Sequence, residues 1–252
     1  MTTSRICVVT GAGRGIGRAV AHRLSNSGHQ VVLTARTRDQ LAEVAAELPG
    51  PSLCVPADVT DPEAPQAIRD QVAAEWGPIE VAVLAAGTAS SAPLAKTTDA
   101  QWRAAMEVNL DAPFRFLRAL APGMAERGWG RIVVIASMAA KHGDPYVSAY
   151  TASKHGVLGL VRATAAELAR SGVTVNAVCP GFVDTPMTEE SIANISATTG
   201  RDAASARAAL EARQPIRRLI SAGEVAEAVE YCVASAATTG QGINVDGGAV
   251  QS

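Results

Sequence analysis

The chain has 252 residues, of which 48% are hydrophobic and 18% charged, and its formal net charge is −2. This length and composition are typical of one compact globular domain and argue against a disordered protein. A near-neutral charge without a basic tract gives no support to nucleic-acid binding. No apolar run in the sequence approaches the roughly 20 residues of a membrane span, so we expect no membrane association.

The N-terminus and the cysteines predict the cellular compartment. Residues 1–10 run directly into a strand-like apolar stretch and lack the layout of a secretory signal peptide. The four cysteines are scattered without metal-ligand spacing, and we expect buried reduced thiols and no bound metal. These cysteines are Cys7, Cys54, Cys179 and Cys232. A cytoplasmic protein is the resulting expectation.

Seven short apolar runs alternate with amphipathic segments along the chain. The runs predict strands at Ile6–Val9, Gln30–Thr34, Leu53–Pro56, Val81–Leu84, Arg131–Ile135, Thr174–Val178 and Ile243–Val245. The segments between them predict helices near 16–27, 38–48, 62–75, 98–126, 147–170 and 222–235. With right-handed crossovers, this alternation predicts an α/β fold: a doubly wound parallel seven-stranded sheet with helices on both faces. We expect this Rossmann fold to form a single domain over residues 1–252.

The alternation of strands and helices breaks between residues 184 and 218. Two helix-like pieces, at 188–197 and 202–213, replace a simple crossover there. A long insertion after the carboxyl end of a strand is a common place for a substrate lid, although a packing or oligomer element is the alternative. Five arginines in or just after this segment would meet CoA phosphates or an acidic carrier protein, and a solvated helix face explains them equally well. They are Arg201, Arg207, Arg213, Arg217 and Arg218.

A glycine-rich loop with the sequence TGAGRGIG covers residues 10–17, between the first strand and the first helix. Glycines let the backbone turn tightly and approach a pyrophosphate, and the helix N-terminus supplies free N–H groups. Although a purely structural turn is the alternative, the position after the first strand favours phosphate binding. The expected contacts come from Gly11, Arg14, Gly15, Ile16 and Gly17.

The end of the second strand indicates which dinucleotide binds. The sequence LTARTR at residues 33–38 has no acidic residue that would accept from the 2′-hydroxyl of NAD. Arg36, with Arg14 from the glycine loop, supplies two guanidinium groups for the 2′-phosphate of NADP. The pair predicts NADP(H) as the cofactor, the alternative being two solvated surface arginines.

Tyr150 and Lys154 lie four residues apart in the sequence YTASK, thirteen residues after Ser137. Positions i and i+4 share one face of a helix, so the phenol and the ammonium project the same way. A neighbouring cation lowers the pKa of a phenol from its usual value of about 10. The spacing therefore predicts acid–base catalysis on an alcohol or a ketone.

Together these residues resemble the short-chain dehydrogenase/reductase family. Motifs in the family's order cover nearly the whole chain: the glycine loop at 10–17, Asp58-Val59, Asn109, Ser137, Tyr150, Lys154, and Pro180-Gly181 with Thr185. The resemblance implies that Tyr150 donates a proton to a ketone oxygen as hydride arrives from the nicotinamide. It also implies that Ser137 hydrogen-bonds that oxygen, that Lys154 lowers the phenol's pKa and binds the nicotinamide ribose, and that Asn109 holds a water. Further implied cofactor contacts are Asp58 and Val59 at the adenine, Ala86 and Gly87 after the fourth strand, and Pro180, Gly181, Val183 and Thr185 toward the nicotinamide.

The chain departs from the family pattern after the fourth strand. The family usually carries Asn-Asn-Ala-Gly there, and this sequence has Leu84-Ala85-Ala86-Gly87. The loss of both amide side chains removes hydrogen bonds that tie the central strands together, which predicts a less rigid junction.

Within the family, the runs CPGFVDTPM (179–187) and AYTASKHGV (149–157) resemble aromatic polyketide ketoreductases of the actinorhodin type. Fatty-acid 3-oxoacyl reductases and some 3-hydroxyacyl-CoA dehydrogenases are also similar. We therefore expect NADPH-dependent reduction of a ketone, either a 3-oxoacyl thioester carried by acyl carrier protein or CoA or a polyketide-type β-ketone. A catabolic dehydrogenase of hydroxyacyl-CoA, cyclic alcohols or sugars is the enzymatic alternative, and a non-catalytic dinucleotide sensor is the alternative from another class.

Two further expectations concern the surroundings of the site. Tyr146, four residues before Tyr150, either lines the substrate pocket or packs within its loop. The family resemblance also implies a homotetramer, or otherwise a dimer, with the long helix at 147–170 paired between subunits.

Overall fold

Seven strands form one parallel sheet in a computed structural model that describes residues 3–251. They are β1 (Ile6–Thr10), β2 (Gln30–Thr34), β3 (Ser52–Cys54), β4 (Val81–Leu84), β5 (Gly130–Ile135), β6 (Val173–Pro180) and β7 (Gly242–Val245). Their order, β3-β2-β1-β4-β5-β6-β7, reverses between β1 and β4. In doubly wound sheets ligands bind beyond the carboxyl ends of the strands at such a reversal. The predicted fold class is confirmed.

Nine α-helices pack around the sheet in the described part of the chain. They are α1 (Gly15–Asn26), α2 (Arg38–Glu47), α3 (Ala64–Glu75), α4 (Asp99–Met106), α5 (Ala112–Glu126), α6 (Ser148–Leu168), α7 (Pro186–Thr199), α8 (Ala203–Glu211) and α9 (Ala222–Ala234). One core cluster joins α1, α2 and α9 to one face of the sheet, and a second joins α3, α5 and α6 to the other. Both faces are therefore covered, as the alternating sequence predicts.

The first strand shows why these apolar runs become buried parallel strands. Ile6 and Val8 belong to the core cluster on one face, and Cys7 and Val9 to the cluster on the other. All residues of β1 are buried. Parallel strands covered on both faces read as continuous apolar runs rather than as alternating patterns.

The predicted helix at 98–126 is interrupted in the structure. A π-helical stretch, Glu107–Asp111, separates α4 from α5. Such wide turns insert one residue into the helical repeat and commonly occur at functional sites. The stretch places Asn109 in the interior, where the residue is only 1% exposed. Hydrophobic periodicity cannot reveal this break because the apolar face continues on both sides.

The strand and cysteine predictions differ from the structure in small ways. Strand β3 lies earlier than its predicted bounds of Leu53–Pro56, because it pairs with β2 from Val31↔Ser52 to Leu33↔Cys54. The four cysteines are free; Cys54 is partly exposed and the other three are buried. Within residues 3–251, no helix is long and apolar enough to cross a membrane.

The segment at 184–218 folds into its own small core. Helices α7 and α8 occupy the two predicted helical pieces, and Ile192, Ala206, Leu210 and Leu219 form a separate buried cluster. Phe182, just after β6, packs against that cluster. The segment is thus a compact unit attached where β6 ends.

Replacement of Phe116 by alanine tests the core between α5 and the sheet. Phe116 is 2% exposed, so Phe116→Ala should lower the free energy of unfolding by about 3–5 kcal/mol. Phe114, in the same helix, is 44% exposed, and Phe114→Ala should cost less than about 1 kcal/mol. Urea denaturation at one fixed protein concentration measures both, and equal losses would contradict this assignment of the core.

Candidate active site

Three predicted catalytic side chains come together where β5 ends and α6 begins. Ser137 follows β5 and caps a short 3₁₀ turn, its Oγ accepting a hydrogen bond from the Ala139 N–H at 3.1 Å. Lys154 is 4% exposed, and its Nζ donates to the Ile135 carbonyl at 2.9 Å. The same Nζ lies 5.6 Å from the centroid of the Tyr150 ring. The helix therefore brings phenol and ammonium to one place, beside Ser137.

Burial has the largest effect on the pKa values of Tyr150 and Lys154. It raises the pKa of the Tyr150 phenol, and a hydrogen bond with the Ser137 side chain only partly opposes it. It lowers the pKa of the Lys154 ammonium from 10.5 to about 8. The expected direction for the phenol is thus wrong for this structure, because desolvation outweighs the neighbouring cation. Tyr150 keeps its proton through the neutral range.

Asn109 is held by protein groups on every side of its amide. Its Nδ2 donates to the Thr88 carbonyl at 2.9 Å and to Ser153 Oγ at 3.1 Å, while its Oδ1 accepts from the Thr88 N–H at 3.0 Å. Ser153 Oγ in turn donates to the Tyr150 carbonyl at 2.7 Å. The π-helical stretch thereby links the segment after β4 to the catalytic helix. Sequence reasoning missed Ser153. Its only signal in the sequence is a hydroxyl side chain directly before Lys154.

The glycine loop lies where β1 and β4 end. A Cβ on Gly11 would approach the Ala86 nitrogen to 2.9 Å, and one on Gly17 would meet the Gly11 carbonyl oxygen at 2.2 Å. Helix α1 begins at Gly15 after Arg14, with no side chain capping its first N–H groups. A close-packed glycine cradle with uncapped helix donors fits a dinucleotide pyrophosphate.

A threonine hydroxyl supports the junction where the family's amides are missing. Thr10 Oγ1 accepts hydrogen bonds from the Ala85 N–H at 3.0 Å and the Ala86 N–H at 3.2 Å. Thr10 is 2% exposed. The Thr10 hydroxyl therefore joins the ends of β1 and β4 directly, at the point where the loss of the amides predicts a less rigid junction.

The residues predicted at the adenine end of the cofactor follow the carboxyl ends of β2 and β3. Hydrogen bonds from the Thr60 backbone and hydroxyl, with a contribution from Arg36, lower the pKa of Asp58. Arg36 and Asp58 are exposed, and Val59 is partly buried. Arg14 makes an ion pair with Glu190 of α7, Nη1 to Oε1 at 3.2 Å. The two predicted phosphate-binding arginines thus have different acidic neighbours.

The loop after β6 faces the glycine loop. A Cβ on Gly15 would lie 3.4 Å from Thr185 Cγ2, so the two loops nearly touch. Val183 is 5% exposed and forms an isolated β-bridge with Ile220. Pro180 is buried at the end of β6, and a Cβ on Gly181 would collide with Gln214 Oε1 at 2.1 Å. The loop predicted to hold the pyrophosphate and the loop predicted to hold the nicotinamide therefore lie side by side.

Polar contacts join the segment at 184–218 to the stretches that follow β4 and β5. Asn194 Nδ2 donates to Ser91 Oγ at 2.9 Å, and the Arg213 guanidinium pairs with Asp144. Arg207 pairs with Asp184 at 3.1 Å and Glu189 at 2.7 Å.

Arg218 pairs with Glu224 at 2.6 Å. Arg207, Arg213 and Arg218 are therefore committed to ion pairs within the chain. Of the five arginines considered for carrier docking, these three support the alternative interpretation of a structural role.

A doubly wound sheet with a glycine cradle and a Ser-Tyr-Lys cluster defines a dinucleotide-dependent oxidoreductase. The family model for short chain dehydrogenases matches residues 5–196. The chain therefore belongs to the short-chain dehydrogenase family.

Three relatives illustrate the similarity. A putative ketoacyl reductase of Streptomyces coelicolor is 40% identical over 256 residues, covering 97% of each chain. A D-beta-hydroxybutyrate dehydrogenase of Rhizobium meliloti is 34% identical, over 97% of this chain and 98% of the relative. A crystal structure of a variant of actinorhodin polyketide ketoreductase with NADPH is 39% identical, with a TM-score of 0.94 over 99% of both chains. The predicted family, fold and enzyme class are confirmed.

The buried ammonium predicts a pH-dependent stability of the cofactor-free protein. Below pH 8 Lys154 is charged in both states, and its burial costs stability in full. Between about pH 8 and 10.5, the pKa of Lys154 in the unfolded chain, the folded protein binds fewer protons than the unfolded one. The free energy of unfolding therefore increases with rising pH. Relative to that of Lys154→Met, the free energy of unfolding of the wild type should increase by on the order of 3 kcal/mol across this pH range.

Urea denaturation at several pH values measures that gain. Lys96→Met, which removes an exposed ammonium, is the matched control. A difference between wild type and Lys154→Met that stays constant from pH 7 to pH 10.5 would contradict the burial of a charged lysine.

Proposed function

We propose that this protein reduces a ketone to a secondary alcohol with NADPH, and that the ketone lies β to a thioester carbonyl. The observation that carries the proposal is the group of Ser137, Tyr150 and Lys154 beside the glycine cradle, in which Ser137 and Lys154 are buried and Tyr150 is partly buried. A proton donor for reduction must be protonated before the reaction, and burial raises the pKa of Tyr150. The site is therefore suited to giving a proton to an oxygen.

Ser137 and Tyr150 act together on the carbonyl oxygen. As negative charge develops on that oxygen, two fixed hydroxyl donors stabilise it. Tyr150 transfers its proton to the oxygen, and Ser137 keeps a hydrogen bond to it. Lys154, anchored by the Ile135 carbonyl, offsets the negative charge that the phenolate acquires. Asn109 and Ser153 fix the position of the helix turn that carries both groups.

NADPH supplies the hydride that forms the new C–H bond when it is bound. Gly11, Gly15, Ile16 and Gly17 would hold its pyrophosphate through backbone N–H groups. Arg14 and Arg36 would hold its 2′-phosphate, for which two guanidinium groups without a competing ribose-binding acid are suited.

The remaining proposed contacts run along the cofactor from its adenine to its nicotinamide. Asp58 and Val59 would meet the adenine, Ala86 and Gly87 the central part, and Pro180, Gly181, Val183 and Thr185 the nicotinamide end. Lys154 and Tyr150 would also reach the nicotinamide ribose. Support comes from the close approach of Gly15 and Thr185, which brings the loops proposed for the pyrophosphate and for the nicotinamide together.

The substrate class is inferred from what the relatives share. The β-hydroxybutyrate dehydrogenase is named for an oxygen function at the β carbon, and the ketoacyl reductase for a ketone on an acyl group. A 3-oxoacyl thioester on acyl carrier protein or CoA has the ketone at that position. The dehydrogenase relative also favours a second candidate, oxidation of a 3-hydroxyacyl compound or another secondary alcohol by the same residues in reverse.

We further propose one catalytic domain over residues 1–252, with the segment at 184–218 as its substrate lid. The Asn194–Ser91 and Arg213–Asp144 contacts support the lid. A cytoplasmic homotetramer, or otherwise a dimer, is proposed from the family resemblance. Within the chain, Val157, Leu160 and Leu168 of α6 pack against the core cluster on one face of the sheet.

Removal of the phenolic hydroxyl tests the acid. Tyr150→Phe should lower kcat/KM for acetoacetyl-CoA at least about 10²-fold, as expected for the loss of a general acid. Oxidation of NADPH followed by its absorbance measures the rate, and Tyr231→Phe on the exposed surface of α9 is the matched control. Unchanged turnover in Tyr150→Phe would remove the proposed acid. Binding of NADPH without turnover of any carbonyl by the wild type would favour a sensor.

The ion pair between Arg14 and Glu190 predicts an effect on cofactor choice. Glu190 competes with the 2′-phosphate for Arg14, and both side chains are more than half exposed, so the pair is weak. Glu190→Gln should tighten NADPH binding about 2–5-fold and leave NADH unchanged.

Titration calorimetry with both cofactors measures this preference. Glu189→Gln is the control, because Glu189 pairs with Arg207 instead at 2.7 Å. Equal changes for NADPH and NADH, or equal changes in both variants, would place the 2′-phosphate away from Arg14.

A further inference from the structure

Gln214 is a fully buried polar residue that none of the catalytic or cofactor motifs contains. It follows α8, near the end of the segment at 184–218, and is 0% exposed. Burial of an amide side chain costs free energy unless its polar atoms are hydrogen-bonded. The partners of this amide therefore indicate what the residue does.

The side-chain amide of Gln214 binds both backbone groups of Phe182, in the loop after β6. Its Oε1 accepts from the Phe182 N–H at 2.9 Å, and its Nε2 donates to the Phe182 carbonyl at 3.2 Å. Nε2 also donates to the Arg218 carbonyl at 2.6 Å. A carboxamide satisfies one N–H and two carbonyls at once, whereas an apolar or a carboxylate side chain does not.

The backbone after β6 leaves no space between itself and this amide. A Cβ on Gly181 would lie 2.1 Å from Gln214 Oε1 and 3.1 Å from the Asp246 Cα. The Gly181 N–H donates to the Val245 carbonyl, at the end of β7, at 3.0 Å. The loop after β6 is therefore held between the end of β7 on one side and Gln214 on the other.

Backbone hydrogen bonds join the two ends of the segment at 184–218 at the same place. The Ile220 N–H donates to the Phe182 carbonyl at 2.9 Å, and the Asp184 N–H donates to the Ile220 carbonyl at 2.8 Å. Gln214 adds a second connection to Phe182. Because the pairing with Ile220 does not involve the Gln214 side chain, a substitution at Gln214 should alter the loop and leave the segment attached.

A tight turn brings the Arg218 carbonyl to the Gln214 amide. The Arg217 N–H donates to the Gln214 carbonyl at 2.8 Å, and Arg217 has a φ of 56°. A non-glycine residue at positive φ is uncommon and costs free energy. The hydrogen bond from Gln214 Nε2 to the Arg218 carbonyl holds the turn in this conformation.

We propose that Gln214 is a positioning residue for the nicotinamide of the cofactor. Its amide fixes the Phe182 backbone and thereby places the next residues, Val183 and Thr185, which we propose to meet the nicotinamide. The proposal deepens the ketone-reducing function and rests on its placement of the cofactor. Through Gln214, the segment proposed as the substrate lid also sets the position of the hydride donor.

The adenine end of the cofactor should not depend on Gln214. Arg36 and Asp58, proposed for that end, follow β2 and β3, which are separated from β6 in the sheet by β1, β4 and β5. Two ligands therefore test the proposal: NADP⁺, and 2′-phospho-ADP-ribose, which lacks only the nicotinamide. Titration calorimetry measures the dissociation constant of each.

Replacement of Gln214 by leucine removes all three hydrogen bonds at a similar side-chain size. Gln214→Leu should raise the Kd for NADP⁺ about 10-fold, because the loop loses its fixed position, and change that for 2′-phospho-ADP-ribose less than about 2-fold. Gln71→Leu, which removes an exposed glutamine on α3, is the matched control and should change neither. Equal losses for both ligands in Gln214→Leu would show a merely structural role and overturn the proposal, as would no loss for either.

A second variant keeps the volume of the side chain and its acceptor for the Phe182 N–H. Gln214→Glu places a carboxylate against two carbonyl oxygens, and burial raises the pKa of such a group. Once protonated, the carboxyl again donates one hydrogen bond. Relative to wild type at the same pH, the ratio of the Kd for NADP⁺ to that for 2′-phospho-ADP-ribose should be about 10-fold higher at pH 8.5 and fall at pH 6. A ratio equal to that of the wild type at both pH values would overturn the proposal, even where Gln214→Leu does not fold.

The wild type separates this proposal from the ketone-reducing function. Failure of the wild type to bind NADP⁺ more tightly than 2′-phospho-ADP-ribose would overturn the proposal, because the loop after β6 would then not hold the nicotinamide. Absence of NADPH oxidation with acetoacetyl-CoA and other ketones, while the two affinities respond to Gln214→Leu as expected, would instead reject the reductase function alone.

Discussion

The burial of a single ammonium is the constraint on which the site depends. Lys154 is almost fully enclosed, and in the structure its charge is met by the Ile135 carbonyl. Desolvation brings its pKa to about 8 and raises that of the neighbouring Tyr150 phenol. The protein thus places an ammonium group with a lowered pKa beside a phenol with a raised pKa. That combination favours donation of a proton to a substrate oxygen, followed by stabilisation of the charge left behind.

The scaffold brings these groups together through hydrogen bonds between polar side chains and the backbone of neighbouring segments. Thr10 joins the ends of β1 and β4, and the π-helical turn aims Asn109 at the Thr88 backbone. From there Ser153 continues the connection to the Tyr150 carbonyl. A displacement in any of these segments would move the phenol relative to the glycine cradle. The positions of the chemistry and of the cofactor are therefore mechanically linked.

Much of this could be predicted from sequence, and the reasons are physical. Apolar runs buried on both faces reveal parallel strands, and the spacing of Tyr150 and Lys154 on a helix face is fixed by helical geometry. The π-helical break at Glu107–Asp111 leaves no trace in hydrophobic periodicity. The ion pairs of Arg14 with Glu190 and Arg213 with Asp144 join residues far apart in the chain. The direction of the Tyr150 pKa also depends on how much water the fold excludes, which spacing alone does not specify.

The packing of Gly17 divides the proposed cofactor site into a part that substitutions can change and a part that they cannot. Any side chain at Gly17 would drive α1 away from the Gly11 carbonyl, so the proposed seat of the pyrophosphate is made of the same contacts that hold the helix to the sheet. Arg14 and Arg36, by contrast, are exposed and bear little of the fold's stability. A lineage could exchange one dinucleotide for another by altering this outer pair while the inner cradle stayed unchanged.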